Sequence, residues 1–268
     1  MALDVQEQHA TADGLETRWF EAGGGAPVLY VHGVPNTGAQ WDPFLQRTGG
    51  VAPDLPGFGA SAKPSNFSYS IEGYEAWLRT FVGQRGFERF SLVVHDWGAA
   101  ALTLAQSEPE RIEKLVVINS VPLLPGYEWH VIARQWRRPV MGELAMGFTT
   151  KFAARRLLGR GGQTFPRPEL DELWSHFDHG TQRAILTLYR SAPPEALARA
   201  GENLGRVTAP ALIVWGESDP YIDAGFAQTY ADALGGEATV RTVAGAGHWP
   251  WHDDASVIDE VASFLAPG

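Results

Sequence analysis

Short apolar runs alternate along the chain with stretches in which apolar residues recur every third or fourth position. The runs "APVLYVHG" (26–33), "RFSLVVHD" (89–96), "IEKLVVINS" (112–120) and "APALIVWG" (209–216) are nearly continuous and rich in β-branched residues. That pattern predicts strands covered on both faces, as in a parallel sheet with helical crossovers. Between them, "IEGYEAWLRTFVGQRG" (71–86) and "FAQTYADALGG" (226–236) carry the helical spacing and finish at glycine, the usual helix stop. The fold class is therefore α/β. From Val121 to about Gly205 the strand pattern disappears, and Trp- and Arg-rich helical patterns take over, broken at Pro139, "GRGGQ" (159–163), "PRP" (166–168) and "PP" (193–194). Strand and helix alternation resumes at Val207. The pattern predicts an α/β core formed by residues 1–122 and 206–268, interrupted by a helical insertion over 123–205.

With 268 residues, 44% of them hydrophobic, the chain can bury a sizeable core and is short for two full domains. The formal net charge of −10 argues against nucleic acid or an anionic membrane as the main partner, since both reward clustered positive charge. A small molecule is the expected partner. One segment departs from the acidic balance: between Arg134 and Arg160 stand seven Lys or Arg against the single acid Glu143. Such a run reads first as a solvated face, with steering of anionic substrates as the alternative. There is no cysteine, hence no disulfide or thiolate chemistry, which fits a reducing compartment. The N-terminus is polar and acidic, without the basic start and apolar run of a signal peptide, and no apolar run reaches the roughly 18 residues of a membrane span. The expected location is the cytoplasm. "HFDH" (176–179) pairs two histidines, but no further Cys or His cluster completes a metal site, and no cofactor is expected.

The chemistry centres on "LVVHDWGAAALTLA" (92–105), a strand, a turn and a helix with Asp96 at the turn. A residue there projects from the carboxyl end of the sheet, beside a helix N-terminus that favours negative charge. Taken alone, Asp96 reads equally well as a helix cap. Its company decides: "WGESDPYID" puts Asp219 just beyond a second strand, and "VAGAGHWPWHDD" puts His248 on a glycine-flanked loop. Acid at a tight turn, then acid, then histidine is one of the chain orders in which a nucleophile, an orienting carboxylate and a general base assemble. Glu217, Asp223 and His252 are the nearby competitors for these roles.

Taken together, "HGVP" (32–35), "DLPGFGASAKP" (54–64), "HDWG" (95–98), "GESDP" (216–220) and "GHWP" (247–250) resemble the α/β-hydrolase superfamily. In particular they resemble its aspartate-nucleophile branch of epoxide hydrolases and haloalkane dehalogenases. The resemblance implies a doubly wound, mostly parallel sheet of about eight strands with an inserted helical cap. It implies Asp96, Asp219 and His248 as the catalytic set, with the backbone amides of Val34 and Trp97 as oxyanion donors. A carboxylate nucleophile suits displacement at a saturated carbon: Asp96 forms an alkyl ester, which water activated by His248 then hydrolyses. Gly33 and Gly98 fit places where backbones must approach closely. In some dehalogenases the orienting acid follows the strand that here ends in Asn119 and Ser120, neither of them a carboxylate.

For the leaving group the resemblance offers two sets. Epoxide hydrolases use cap tyrosines as acids, here Tyr189, followed by Arg190, and Tyr127. Halide release uses indole N–H groups, here Trp97 and Trp136, and Val34 stands where many dehalogenases carry Asn. Epoxide hydrolysis is the leading expectation, with haloalkane dehalogenation as the alternative and a non-catalytic small-molecule receptor behind both. The expected partners are a small apolar electrophile and water, with the protein a monomer or homodimer.

Overall fold

The structure, a computed structural model, describes residues 2–23, 27–160 and 165–267. Among them eight strands form one sheet: β1 (Gln6–Ala12), β2 (Leu15–Ala22), β3 (Val28–Val31), β4 (Gly50–Pro53), β5 (Phe90–Asp96), β6 (Ile112–Ser120), β7 (Ala211–Gly216) and β8 (Ala238–Val243). Their order is β1-β2-β4-β3-β5-β6-β7-β8. The pairs β1–β2 and β2–β4 are antiparallel, and the rest of the sheet is parallel. The first two strands are joined by Asp13 and Gly14, both at positive φ (50° and 75°), a turn that matches the twist of a hairpin.

The apolar runs become the central strands because both faces are covered. Along β5, Leu92 and Val94 pack into one core cluster while Val93 packs into the other, the two-residue alternation of a strand. The predicted helices appear as Ile71–Gln84 and Gly225–Ala233.

Between β6 and β7 the chain forms six α-helices among the described residues: Val131–Trp136, Met141–Gly147, Lys151–Leu158, Arg167–Ser175, His179–Ser191 and Pro194–Ala200. The prolines at 139, 166–168 and 193–194 fall at helix boundaries, where a missing N–H and a fixed φ are tolerated. Of the "GRGGQ" break, residues 161–163 lie outside the described residues. The insertion is tied to the sheet by a buried ionic relay. Arg18 on β2 donates to Asp54 at 2.6 Å and reaches Glu172 of the insertion at 2.6 Å. Asp54, fully buried, also accepts from the amides of Gly38 and Ala60, so its charge is met on both oxygens. Among the described residues no helix is long and apolar enough to cross a membrane.

Candidate active site

Five strand ends converge on one edge of the sheet. After β3 comes His32-Gly33-Val34, β5 ends at Asp96, β6 ends at Asn119-Ser120, and β7 and β8 lead to the loops of Asp219 and His248. Asp96 has φ 50° and ψ −120°, a region that costs a non-glycine residue energy and lifts its side chain clear of the sheet. The turn closes only because its neighbours lack side chains. A Cβ on Gly33 would sit 2.3 Å from Cβ of Asp96, and one on Gly98 would sit 2.2 Å from the Val31 carbonyl oxygen.

The three sequence-predicted polar residues meet. His248 Nδ1 lies 2.7 Å from Asp219 Oδ2, and His248 Nε2 lies 3.5 Å from Asp96 Oδ2. The other Asp96 oxygen accepts from the Val34 amide at 2.7 Å, while the Trp97 amide opens the turn that follows. Asp219 is held on all sides: Oδ2 also accepts from Asn119 Nδ2 at 2.7 Å, and Oδ1 accepts from the amides of Tyr221 and Ile222 at 2.8 and 3.2 Å. The competitors face elsewhere. Glu217 caps the Gly245 amide, Asp223 the Gly225 amide, and His252 pairs with Glu169.

The electrostatics follow from burial and charge. Burial works against the His248 imidazolium, but the charge and hydrogen bond of Asp219, then those of Asp96, raise its pKa to about 10. Burial also opposes ionisation of Asp96, yet the His248 hydrogen bond and charge hold its carboxyl below the ordinary value. The resting pair is thus carboxylate and imidazolium. His95 is pushed down to about 3, chiefly by burial and then by the His248 charge, and its neutral ring bonds the His248 carbonyl at 2.9 Å. His32 bridges the Gly33 carbonyl and the Leu55 amide. Both rings brace loops.

Above Asp96 and His248 lies a narrow cavity of about 40 Å³. Tyr127, Trp136 and Tyr189 line it, as do Val34 and Ile132. The Tyr127 hydroxyl is buried without a hydrogen-bond partner, and burial first, then the charges of Asp96 and Asp219, keep it protonated far above the ordinary range. Burial and then the Asp96 charge do the same for Tyr189. The Trp97 side chain is not among the lining residues. It stacks on Trp129 at 5.3 Å between centroids and stands edge-on to Tyr189. Its indole N–H approaches the Tyr189 phenol without reaching hydrogen-bonding geometry.

Tyr221 and His130 are among the lining residues that escape a sequence reading. Tyr221 reaches the cavity because Asp219 folds the chain back through an Asx turn, and its hydroxyl donates to the Leu157 carbonyl. His130 caps the helix Val131–Trp136 through Nδ1 while its ring lies 5.2 Å from that of Tyr221. The Asp-Pro-Tyr spacing hints at the first; nothing local marks the second.

Residues 28–261 match the model of the alpha/beta hydrolase family. A haloalkane dehalogenase of Bradyrhizobium diazoefficiens is 28% identical, the alignment covering 98% of this chain and 95% of that one. A haloalkane dehalogenase of Mycolicibacterium paratuberculosis is 30% identical over 74% of this chain and 69% of its own. Among solved structures, haloalkane dehalogenase DbeA from Bradyrhizobium elkani superposes with a TM-score of 0.86 at 25% identity, covering 98% of both chains. The epoxide hydrolase CorEH superposes with a TM-score of 0.84 at 19% identity, covering 98% of this chain and 99% of its own, a likeness of fold.

Proposed function

The chain belongs to the alpha/beta hydrolase family and is a hydrolase of its aspartate-nucleophile branch, and from that premise we propose that it opens epoxides to vicinal diols through an ester on Asp96. The observation that carries this reading is the pair of protonated phenols, Tyr127 and Tyr189, lining the same cavity as Asp96 and His248, one of them without a partner. An opening epoxide needs a proton on its departing oxygen, and a buried phenol beside it is a general acid. Asp96, Asp219 and His248 are the nucleophile, orienting carboxylate and base, and residues 123–205 are the cap that carries the acid Tyr189.

Oδ1 of Asp96 is already bonded to the Val34 amide, which leaves Oδ2 to attack the saturated carbon in line. The C–O bond breaks, and a phenol protonates the alkoxide. Esterification removes the Asp96 charge that helped keep His248 protonated, so its pKa falls and its proton returns to the tyrosinate. Neutral His248, oriented by Asp219, then takes a proton from water as the water adds to the aspartyl carbonyl. The oxyanion forms at Oδ1, against the amides of Val34 and Trp97, where each donor is typically worth about 3–4 kcal/mol of barrier. Collapse releases the diol and restores carboxylate and imidazolium.

Haloalkane dehalogenation is the second reading, favoured by relatives of that name at 28–30% identity and by the unbonded indole N–H of Trp97. Intact-protein mass spectrometry of His248→Gln separates the two, because this variant forms the ester but cannot hydrolyse it. With an epoxide the adduct weighs the protein plus the whole substrate, whereas a haloalkane adduct lacks the elements of HX. An adduct only from bromoalkanes overturns the epoxide reading, and an adduct mapped away from Asp96 overturns both.

A further inference from the structure

The six exposed large hydrophobic side chains among the described residues all lie in one part of the insertion: Val131, Val140, Met141, Leu144, Phe148 and Phe152. Phe148 is 81% and Phe152 71% exposed, and all six fall between residues 131 and 152, a concentration of exposed apolar side chains of the kind that marks an interaction site. Helix Met141–Gly147 turns Gly142 and Met146 inward and leaves Met141 and Leu144 outward, with Phe148 one turn further on. Val140, which starts that helix, has φ 69°, a conformation β-branched residues rarely adopt, and this turn leaves it in solvent.

Cations flank these positions at helical spacing. Arg134 lies one turn from Val131, and Arg155 and Arg156 lie one turn from Phe152, so each pair shares a helix face. Lys151 pairs with Asp171 and Arg190 with Glu143, but Arg134, Arg138, Arg155 and Arg156 have no ion-pair partner among the described residues. Apolar and aromatic side chains interspersed with these arginines, on consecutive helices of which the first two pack together, are the composition of an interfacial surface for anionic lipid. A second copy docking through the same patch would set arginine against arginine. Nucleic acid would leave the phenylalanines in water.

We infer that the outer face of the helices spanning 131–158 docks on the surface of an anionic lipid bilayer. The net charge of −10 conceals this face because its one acid, Glu143, is paired with Arg190 and the other acids lie outside residues 131–158. The placement also has a consequence for substrate. Ile132 and Trp136 from the first of these helices and Leu157 and Leu158 from the third line the catalytic cavity, so docking sets its roof at the layer into which apolar electrophiles partition. The inference stands whichever leaving group the enzyme takes.

Flotation of the purified protein with vesicles of phosphatidylcholine, with and without phosphatidylglycerol, tests it. The expected result is co-flotation with the anionic vesicles, weakened by salt. Arg155→Ser/Arg156→Ser should lower the partition coefficient about tenfold to thirtyfold, given the usual contribution of each surface cation. Phe148→Asp/Phe152→Asp should abolish binding, with circular dichroism and turnover of a water-soluble substrate unchanged. Absence of flotation with anionic vesicles, or flotation that both variants leave intact, overturns the inference. So does self-association in sedimentation velocity that Phe148→Asp/Phe152→Asp dissolves without any lipid binding, since the face then belongs to a second copy.

Discussion

Asn119 donates from Nδ2 to Oδ2 of Asp219 at 2.7 Å, the same oxygen that His248 meets, while its own Oδ1 accepts from the Gly216 amide at 3.0 Å. The amide thus fixes the orienting carboxylate from the end of the neighbouring strand. Asn119→Ala removes a hydrogen bond to a charged group, typically worth about 1.5–3 kcal/mol. We expect ester hydrolysis to slow about tenfold to hundredfold, with alkylation nearly unchanged. Rapid-quench mass spectrometry should therefore find more adduct at steady state. Equal losses in both steps would assign Asn119 to folding.

The two phenols make a joint prediction. Tyr127→Phe and Tyr189→Phe should each slow epoxide alkylation by roughly 10²-fold, the low end of general-acid effects, and leave hydrolysis of a preformed ester alone. Tyr127→Phe should also keep or raise thermal stability, because it deletes a buried hydroxyl without a partner. If instead Trp97→Phe and Trp136→Phe are the damaging changes and the phenylalanine variants are silent, the halide reading replaces the epoxide one.

Stability should carry the signature of His248. Its folded pKa, about 10, exceeds the unfolded value of 6.5. Its contribution is therefore complete below about 6.5 and is lost as pH rises through 10. Urea midpoints of the wild type should fall between pH 7 and 10, and those of His248→Gln should fall less. A steeper loss in the variant would contradict this assignment. During turnover the same linkage acts in reverse. Ester formation lowers the His248 pKa, so acidification toward pH 5 should accumulate adduct by protonating the base.

The relay from Arg18 to Asp54 should matter far more than a surface pair. Asp54→Asn leaves a buried guanidinium facing only the more exposed carboxylates of Glu172 and Glu7, and removing one partner of a buried pair costs about 3–5 kcal/mol. Arg47→Ser, which breaks the exposed pair with Asp259, should cost under about 1 kcal/mol. Equilibrium urea denaturation of both variants gives the comparison directly.

Local patterns were enough to establish the α/β alternation, the helical insertion and the turn that raises Asp96. Strand period, helix period and glycine stops act over a few residues and leave their mark in the chain itself. The hairpin at Asp13-Gly14 is equally local, two positive-φ residues between β1 and β2. Only the tertiary structure decided which of several nearby acids meets which histidine. Asp219 and His248 stand 29 residues apart, and their approach is set by how two loops lie across the sheet edge. The same holds for Asn119, whose partner lies 100 residues away. It holds too for Tyr127, which reaches the cavity of Asp96 from the segment that follows β6. Side-chain direction after a loop depends on packing between segments distant in sequence, which no periodicity encodes. The apolar and basic face of the insertion is of this kind, since a helix with apolar residues on two sides shows which side is covered only once the sheet is beneath it.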